Sequence, residues 1–159
     1  MKPKDIMTEG AFHNAIVADM ALGCSTNTVL HLPAIAHAAG FDVGFETLND
    51  IAQITPQICK LAPAGNHFIS DLYEAGGIRG VLKSLDNAEG LIRRECLTVS
   101  GKTVGEQIDK AYISDSEVIR SKENAYSQDG GLAILWGSLA PEGCVVKKGA
   151  VAEEMMIHT

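Results

Sequence analysis

No apolar run in this 159-residue sequence approaches the roughly 20 residues that a helix needs to cross a bilayer, so a membrane span is not expected. Met1-Lys2-Pro3-Lys4-Asp5 leads into an amphipathic stretch and not into an apolar core with a small-residue cleavage site. A secretory leader is therefore not indicated, and a cytoplasmic location is expected. A concentrated basic patch is also lacking. Lys147-Lys148 and Arg93-Arg94 are too short to neutralise a run of phosphates, and with a net charge of -7 they argue against a nucleic-acid partner. The four cysteines, Cys24, Cys59, Cys96 and Cys144, make no CxxC pair, and no second ligand cluster accompanies them. A self-contained zinc or cluster site is not visible, and in a reducing compartment the expected state of most of them is a buried free thiol. Gly130-Gly131 belongs to no GxGxxG or P-loop and reads instead as the start of a strand in a tight space. There is no internal repeat. What remains is an ordinary globular balance, 46% apolar and 21% charged, in a chain long enough for one sizeable core.

Thr8 reads as the N-cap of a helix running to about Leu22 and ending at Gly23. Phe12, Ala15, Ile16, Met20 and Gly23 fall on one face of it, and Asp19 falls within that face. A carboxylate there wants a partner, and bracing of the following loop accounts for it better than catalysis. Ser25-Thr26-Asn27 then offers three capping residues before a second apolar segment, Val29 to Ala39, closed by Gly40. Pro33 inside that segment removes a backbone donor, so the helix either bends or begins late. A short helix is expected from Thr47. Pro56 marks a break or the first turn of another helix carrying Ile58 and Leu61. Pro63 to Asn66 reads as a turn, Ser70 or Asp71 as a cap, and Gly76-Gly77 as an interruption before Ile78, Val81, Leu82 and Leu85 resume helical spacing.

From Cys96 the texture changes. Cys96 to Val99 reads as a short strand and Thr103 as the cap of a helix through Ile108 and Ala111. Residues 114–124 are polar and irregular, and a boundary is placed there, giving segments 1–113, 114–124 and 125–159. Gly131 to Trp136 and Cys144 to Lys147 read as strands around a type I turn at Ala140-Pro141-Glu142-Gly143. A hairpin with a short tail buries too little to stand as an independent domain.

The run Asp19-Met20-Ala21-Leu22-Gly23-Cys24-Ser25-Thr26-Asn27-Thr28-Val29-Leu30-His31-Leu32 closely resembles the dihydroxy-acid dehydratase and phosphogluconate dehydratase family. The resemblance continues, in the family's order, through residues 61–65, 71–78, 97–103, 130–135 and 139–143, nearly the whole chain. Thr28 after Ser-Thr-Asn is more like the dihydroxy-acid branch; sugar-acid dehydratases are near competitors. The resemblance implies a cytoplasmic, usually oligomeric two-domain enzyme that dehydrates a 2,3-dihydroxy acid to a 2-keto acid in branched-chain amino-acid biosynthesis, with an iron–sulfur cluster and magnesium. It implies an α/β fold: here a mostly helical portion, then the opening strands of a β-barrel-like domain. In the family the cluster and magnesium ligands lie upstream of the matched region and a further active-site segment lies downstream. The chain is therefore expected to be an internal piece with no catalytic, cofactor or metal ligand of its own, inactive alone or able only to dock or self-associate.

The residues expected nearest to chemistry are Ser25, Thr26 and Asn27. Hydroxyls and N–H groups at a helix start suit an anion such as a substrate carboxylate, and the competing account is that they only cap the helix. Cys24 stands where the family usually has Gly, either as an extra thiol near the cluster or as a tolerated small residue. Pairing it with His31 or His37 would give a hydrolase, for which isolated Cys and His residues are weak support. His31 and His37, six apart, cannot chelate across one helix face. Asp42, Glu46 and Asp50 read as a solvated acidic face.

Overall fold

The structure is a computed structural model and describes residues 1–86 and 90–157. Among these are seven helices: α1 Pro3–Ile6, α2 Glu9–Leu22, α3 Thr28–Ala39, α4 Phe45–Ile54, α5 Ile69–Ala75, α6 Gly77–Leu85 and α7 Val104–Asp109. A two-stranded antiparallel sheet follows, β1 Ala133–Gly137 against β2 Ala140–Val146. The expected mixed α/β character is present, and the sheet is an open hairpin, not a closed barrel.

The middle of the molecule is α2. Thr8 Oγ1 accepts from the Ala11 N–H at 3.3 Å, satisfying a donor that has no helical partner. Burial runs round most of its surface: Phe12, Asn14, Ile16, Val17, Asp19, Met20, Ala21 and Leu22 are all buried. Ala15, expected on the inner face, is exposed; the packed side of α2 is set by α4 and α6 and turns toward Asn14 and Val17. Around this helix Leu48, Ile58, Leu72, Val81, Leu85, Ile119 and Leu132 close one continuous core. Each such aliphatic side chain contributes roughly 1.5–3 kcal/mol on burial.

Two polar residues near the start of α2 tie a distant loop to it. Asn14 donates from Nδ2 to the Arg93 carbonyl at 3.0 Å and accepts from the Arg93 N–H at 2.8 Å. His13 Nε2 lies 2.9 Å from the Leu91 carbonyl oxygen. The 90–96 segment is thereby held without regular structure of its own.

The structure decides between some of the expected alternatives and corrects other expectations. The α3 helix begins at Thr28 and runs through Pro33, so it does not start late. The α4 helix starts at Phe45, two residues before Thr47, with Gly44 at its N-cap. Pro56 is a break: Gln57 forms an isolated bridge with Ser127, and the Ile58 and Cys59 N–H groups both donate to the Ala21 carbonyl. Asp71 caps α5 from within its first turn, accepting from the Phe68 N–H at 2.7 Å. Cys96 to Val99 is not a strand: its backbone meets its own return at an isolated Leu97–Thr103 bridge, and among the described residues no neighbouring strand lies beside it. Thr103 caps α7 as expected, in a reciprocal pair with Glu106, but the helix ends at Asp109 and does not reach Ala111.

The hairpin turn is Ser138-Leu139, not Ala140 to Gly143, which lie within β2. Pro141 is tolerated because each strand here has a free edge that needs no N–H donor. The pairing Leu135 with Cys144 and Gly137 with Ala140 leaves extra residues on β2, a bulge. Gly143 supplies it with φ 101, and a Cβ there would lie 2.9 Å from the Phe45 ring.

Residues 114–124 are irregular but packed. Val118 and Ile119 are buried, the Arg120 N–H donates to the Ile58 carbonyl at 3.1 Å, and the Arg120 guanidinium sits 3.8 Å from the centre of the Tyr126 ring.

Candidate functional site

The elbow between α2 and α3 forms because α2 ends in a left-handed glycine. Gly23 has φ 58, its N–H donates to the Met20 carbonyl, and the next N–H, of Cys24, reaches back to the Asp19 carbonyl at 3.2 Å. The chain then turns at once into α3. The Thr28, Val29 and Leu30 N–H groups donate to the carbonyls of Ser25, Thr26 and Asn27, so the first turn of α3 is tight. Asn27 occupies the N-cap without a side-chain capping bond. Ser25 Oγ instead accepts from the Asn27 N–H at 3.2 Å. Ser25 and Asn27 are exposed and Thr26 is half-buried, so the three share one solvent-facing turn.

Behind this turn lies the junction between the helical body and the C-terminal segment. Gly131 donates its N–H to the Met20 carbonyl at 2.9 Å, and Gly149 donates to the Gly131 carbonyl at 3.1 Å. A Cβ on Gly131 would stand 2.5 Å from the Gly23 Cα, and a Cβ on Gly149 would stand 2.7 Å from the Gln57 amide. The buried Gln57 side chain fills the space between these backbones, with Nε2 donating to the Cys59 carbonyl at 3.1 Å. The expected tight approach at Gly130-Gly131 is present, and its partner is Gln57, which the sequence reading passed over. A buried amide following Pro56 in an otherwise apolar run was the available signal.

Asp19 lies directly beneath the elbow, 5% exposed. Thr28 Oγ1 is 2.8 Å from its Oδ2 and 2.7 Å from the Ser25 carbonyl oxygen. Asp19 thus braces the loop, as expected. Its other oxygen, Oδ1, is buried and receives no well-directed hydrogen bond, although the Cys24 thiol lies beside the carboxyl. Burial pushes the Asp19 carboxyl above its ordinary range, against the opposing effects of Thr28, Cys24 and Lys147. Burial also pushes the Cys24 thiol up to about 12, with the Asp19 charge adding to it. The Cys59 thiol is likewise pushed up to about 12, by burial and then by Cys24. Neither thiol is activated as a nucleophile would be, since burial favours the protonated form of both. His31 and His37 are exposed, as are Asp42, Glu46 and Asp50. Among the described residues no three of His, Cys, Asp and Glu gather as a metal would need.

A separate cleft of about 300 Å³ is lined by the apolar Ile54, Pro56, Leu85 and Leu91 and by His13, Arg93 and Lys122. It shares no residue with the elbow, and nothing in the sequence pattern singled it out.

Two family models match the chain. The dihydroxy-acid/6-phosphogluconate dehydratase N-terminal model covers residues 1–107, and the corresponding C-terminal model covers residues 117–159. The chain is 55% identical to the dihydroxy-acid dehydratase of Desulfosudis oleivorans over 98% of its length. It is 54% identical to that of Acetivibrio thermocellus over 99%, and 56% identical to that of Oleidesulfovibrio alaskensis over 100%. It spans 28%, 28% and 29% of those three relatives.

Proposed function

Because the chain belongs to the dihydroxy-acid/6-phosphogluconate dehydratase family, we propose that it forms part of a lyase that removes water from a 2,3-dihydroxy acid, with the Gly23–Thr28 elbow as one wall of the pocket. The product is a 2-keto acid of branched-chain amino-acid biosynthesis, and the setting is a cytoplasmic, oligomeric enzyme. The relatives' shared name favours the dihydroxy-acid branch over a sugar-acid substrate. On this reading residues 1–113 belong to one domain, 114–124 join it to the next, and 125–159 open the second. Among the described residues no helix is long and apolar enough to cross a membrane.

The reaction is difficult for two reasons. Hydroxide is a poor leaving group, and a proton beside a carboxylate is only weakly acidic, so positive charge must meet both the departing oxygen and the enolate that develops. An iron–sulfur cluster and magnesium would supply that charge, but the donors of this chain do not fit either. Cys59 is buried, Cys24 half-buried and Cys144 exposed on a strand, and among the described residues no three His, Cys, Asp or Glu side chains gather.

What this chain offers is positioning. The observation that carries the reading is the elbow itself: three adjacent hydrogen-bonding side chains on one exposed turn at the start of a 12-residue helix, fixed from behind by Asp19 and Gln57. A carboxylate placed there meets the Ser25 and Thr26 hydroxyls and the Asn27 side-chain amide at the positive end of α3, whose first N–H groups are already donated within the turn. Titrating the 159-residue chain with 2,3-dihydroxyisovalerate while following backbone amides by NMR tests this. Shifts concentrated at residues 24–28 are expected; shifts elsewhere, or none, contradict the assignment.

A further inference from the structure

Thr28 carries one hydroxyl proton, yet its Oγ1 makes two short contacts, 2.7 Å to the Ser25 carbonyl and 2.8 Å to Asp19 Oδ2. If Asp19 is ionised, both neighbours are pure acceptors, and a single O–H serves only one acceptor at such lengths. The Ser25 carbonyl has no proton to give. The second contact is a hydrogen bond only when the proton comes from the carboxyl.

We propose that Asp19 is held as a neutral carboxylic acid at neutral pH, donating from Oδ2 to Thr28 Oγ1, which donates on to the Ser25 carbonyl, and that this relay positions the elbow. Asp19 is then a positioning residue: it acts through Thr28 and Ser25 and touches no reacting atom. Part of its significance rests on the reading of the elbow as a carboxylate-binding wall. An ionised Asp19 would set a buried negative charge directly under the anion, whereas the neutral acid keeps the same hydrogen bonds without that repulsion.

The surroundings act in the same direction. Asp19 is 95% buried and its Oδ1 receives no well-directed hydrogen bond, a poor setting for a carboxylate but a tolerable one for an acid. The groups that face it are the Cys24 thiol from the elbow, Thr28 from α3 and Lys147 from the residue after β2. Cys24 is itself protonated, and Lys147 acts only through its charge. Together they fail to offset burial, which raises the carboxyl from its ordinary 3.8. An acid raised on folding stabilises the folded state fully below its unfolded value; that contribution is lost as pH rises from there through the folded value. Replacing the acid by an amide removes this loss.

The test is carbon-detected NMR of the Asp19 side-chain carboxyl in the 159-residue chain, with Asp19→Asn and Asp19→Ala beside it. At pH 7 the Asp19 carboxyl carbon is expected at its protonated chemical shift. Asp19→Asn, which donates to Thr28 as the acid does and escapes the pH-linked loss, is expected to melt at or above the parent temperature at pH 7, and Asp19→Ala, which cannot donate, several degrees below Asp19→Asn. A carboxylate shift at pH 7 overturns the proposal, and so does an Asn variant as destabilised as the Ala variant. Loss of elbow shifts on adding the dihydroxy acid, with the carboxyl still protonated, would count against the pocket reading and leave the protonation state standing.

Discussion

Asn14, Gly131 and Asp129 show three ways in which one side chain, or its absence, acts on this fold. Asn14 spends its amide on both backbone groups of Arg93. Truncating it to Ala removes both part-buried bonds to Arg93, so Asn14→Ala is expected to lower the unfolding free energy by about 1–2 kcal/mol in urea titration. Gly131→Ala drives a methyl to 2.5 Å from the Gly23 Cα, a backbone atom that has nowhere to rotate. Its expected cost is about 1–3 kcal/mol with displaced amide resonances at Gly23 and Cys24. Burial acts to raise the Asp129 carboxyl, but Lys148 and then Ser127 outweigh it and hold the carboxyl below its ordinary 3.8. A depressed carboxyl stabilises above its unfolded value, and the contribution is lost as pH falls through the folded value. Since the pair is partly exposed, Lys148→Met is expected to cost under about 1 kcal/mol, to cost less in high salt, and to cost nothing once acid has protonated Asp129.

At the scale of the element, α3 departs furthest from the usual pattern. Residues 28–39 are apolar almost throughout and carry no Asp, Glu, Lys or Arg, yet only Val29 and Ala36 are buried. Leu30 is 64% and Ile35 45% exposed, and with Ala34 and Ala38 they leave an apolar stripe open to water. The double variant Leu30→Glu/Ile35→Glu is expected to retain the far-ultraviolet helical signal and to reduce binding of a hydrophobic dye; unchanged dye binding would mean that the stripe is covered. The limits of α2 and α3 were legible, because Thr8, Gly23 and Gly40 act through local backbone chemistry that a sequence states directly. Cys96 to Val99 was misread because β-branched composition describes a strand only where another strand is present to pair with it. Pro141-Glu142-Gly143 was misread for the converse reason: it has the composition of a turn, but a free strand edge accepts Pro and a bulge accepts Gly with positive φ.

For the whole molecule, what matters most is the junction at which Gly23, Gln57, Gly131 and Gly149 meet. These four positions lie far apart in sequence, and no local pattern announces that three missing side chains make room for one amide. The site was therefore legible in part: Ser25, Thr26 and Asn27 stand out as a capping cluster, while the wall behind them emerges only from tertiary packing. Gln57→Leu is expected to weaken the attachment of residues 127–149, seen as faster amide exchange at Gly131 and Gly149 than at the α2 core. The claim that this chain supplies a wall of a dihydroxy-acid pocket reaches beyond its own length, since it spans 28% of its relatives. It is most directly tested by exchanging residues 1–157 into the matching region of a 55%-identical relative and measuring keto-acid formation from 2,3-dihydroxyisovalerate. The account predicts that the folded chimera turns over and that Thr26→Val with Asn27→Ala raises its KM at least about tenfold, the equivalent of about 1.4 kcal/mol of lost carboxylate binding. A folded chimera without turnover, or an elbow variant with an unchanged KM, would contradict it.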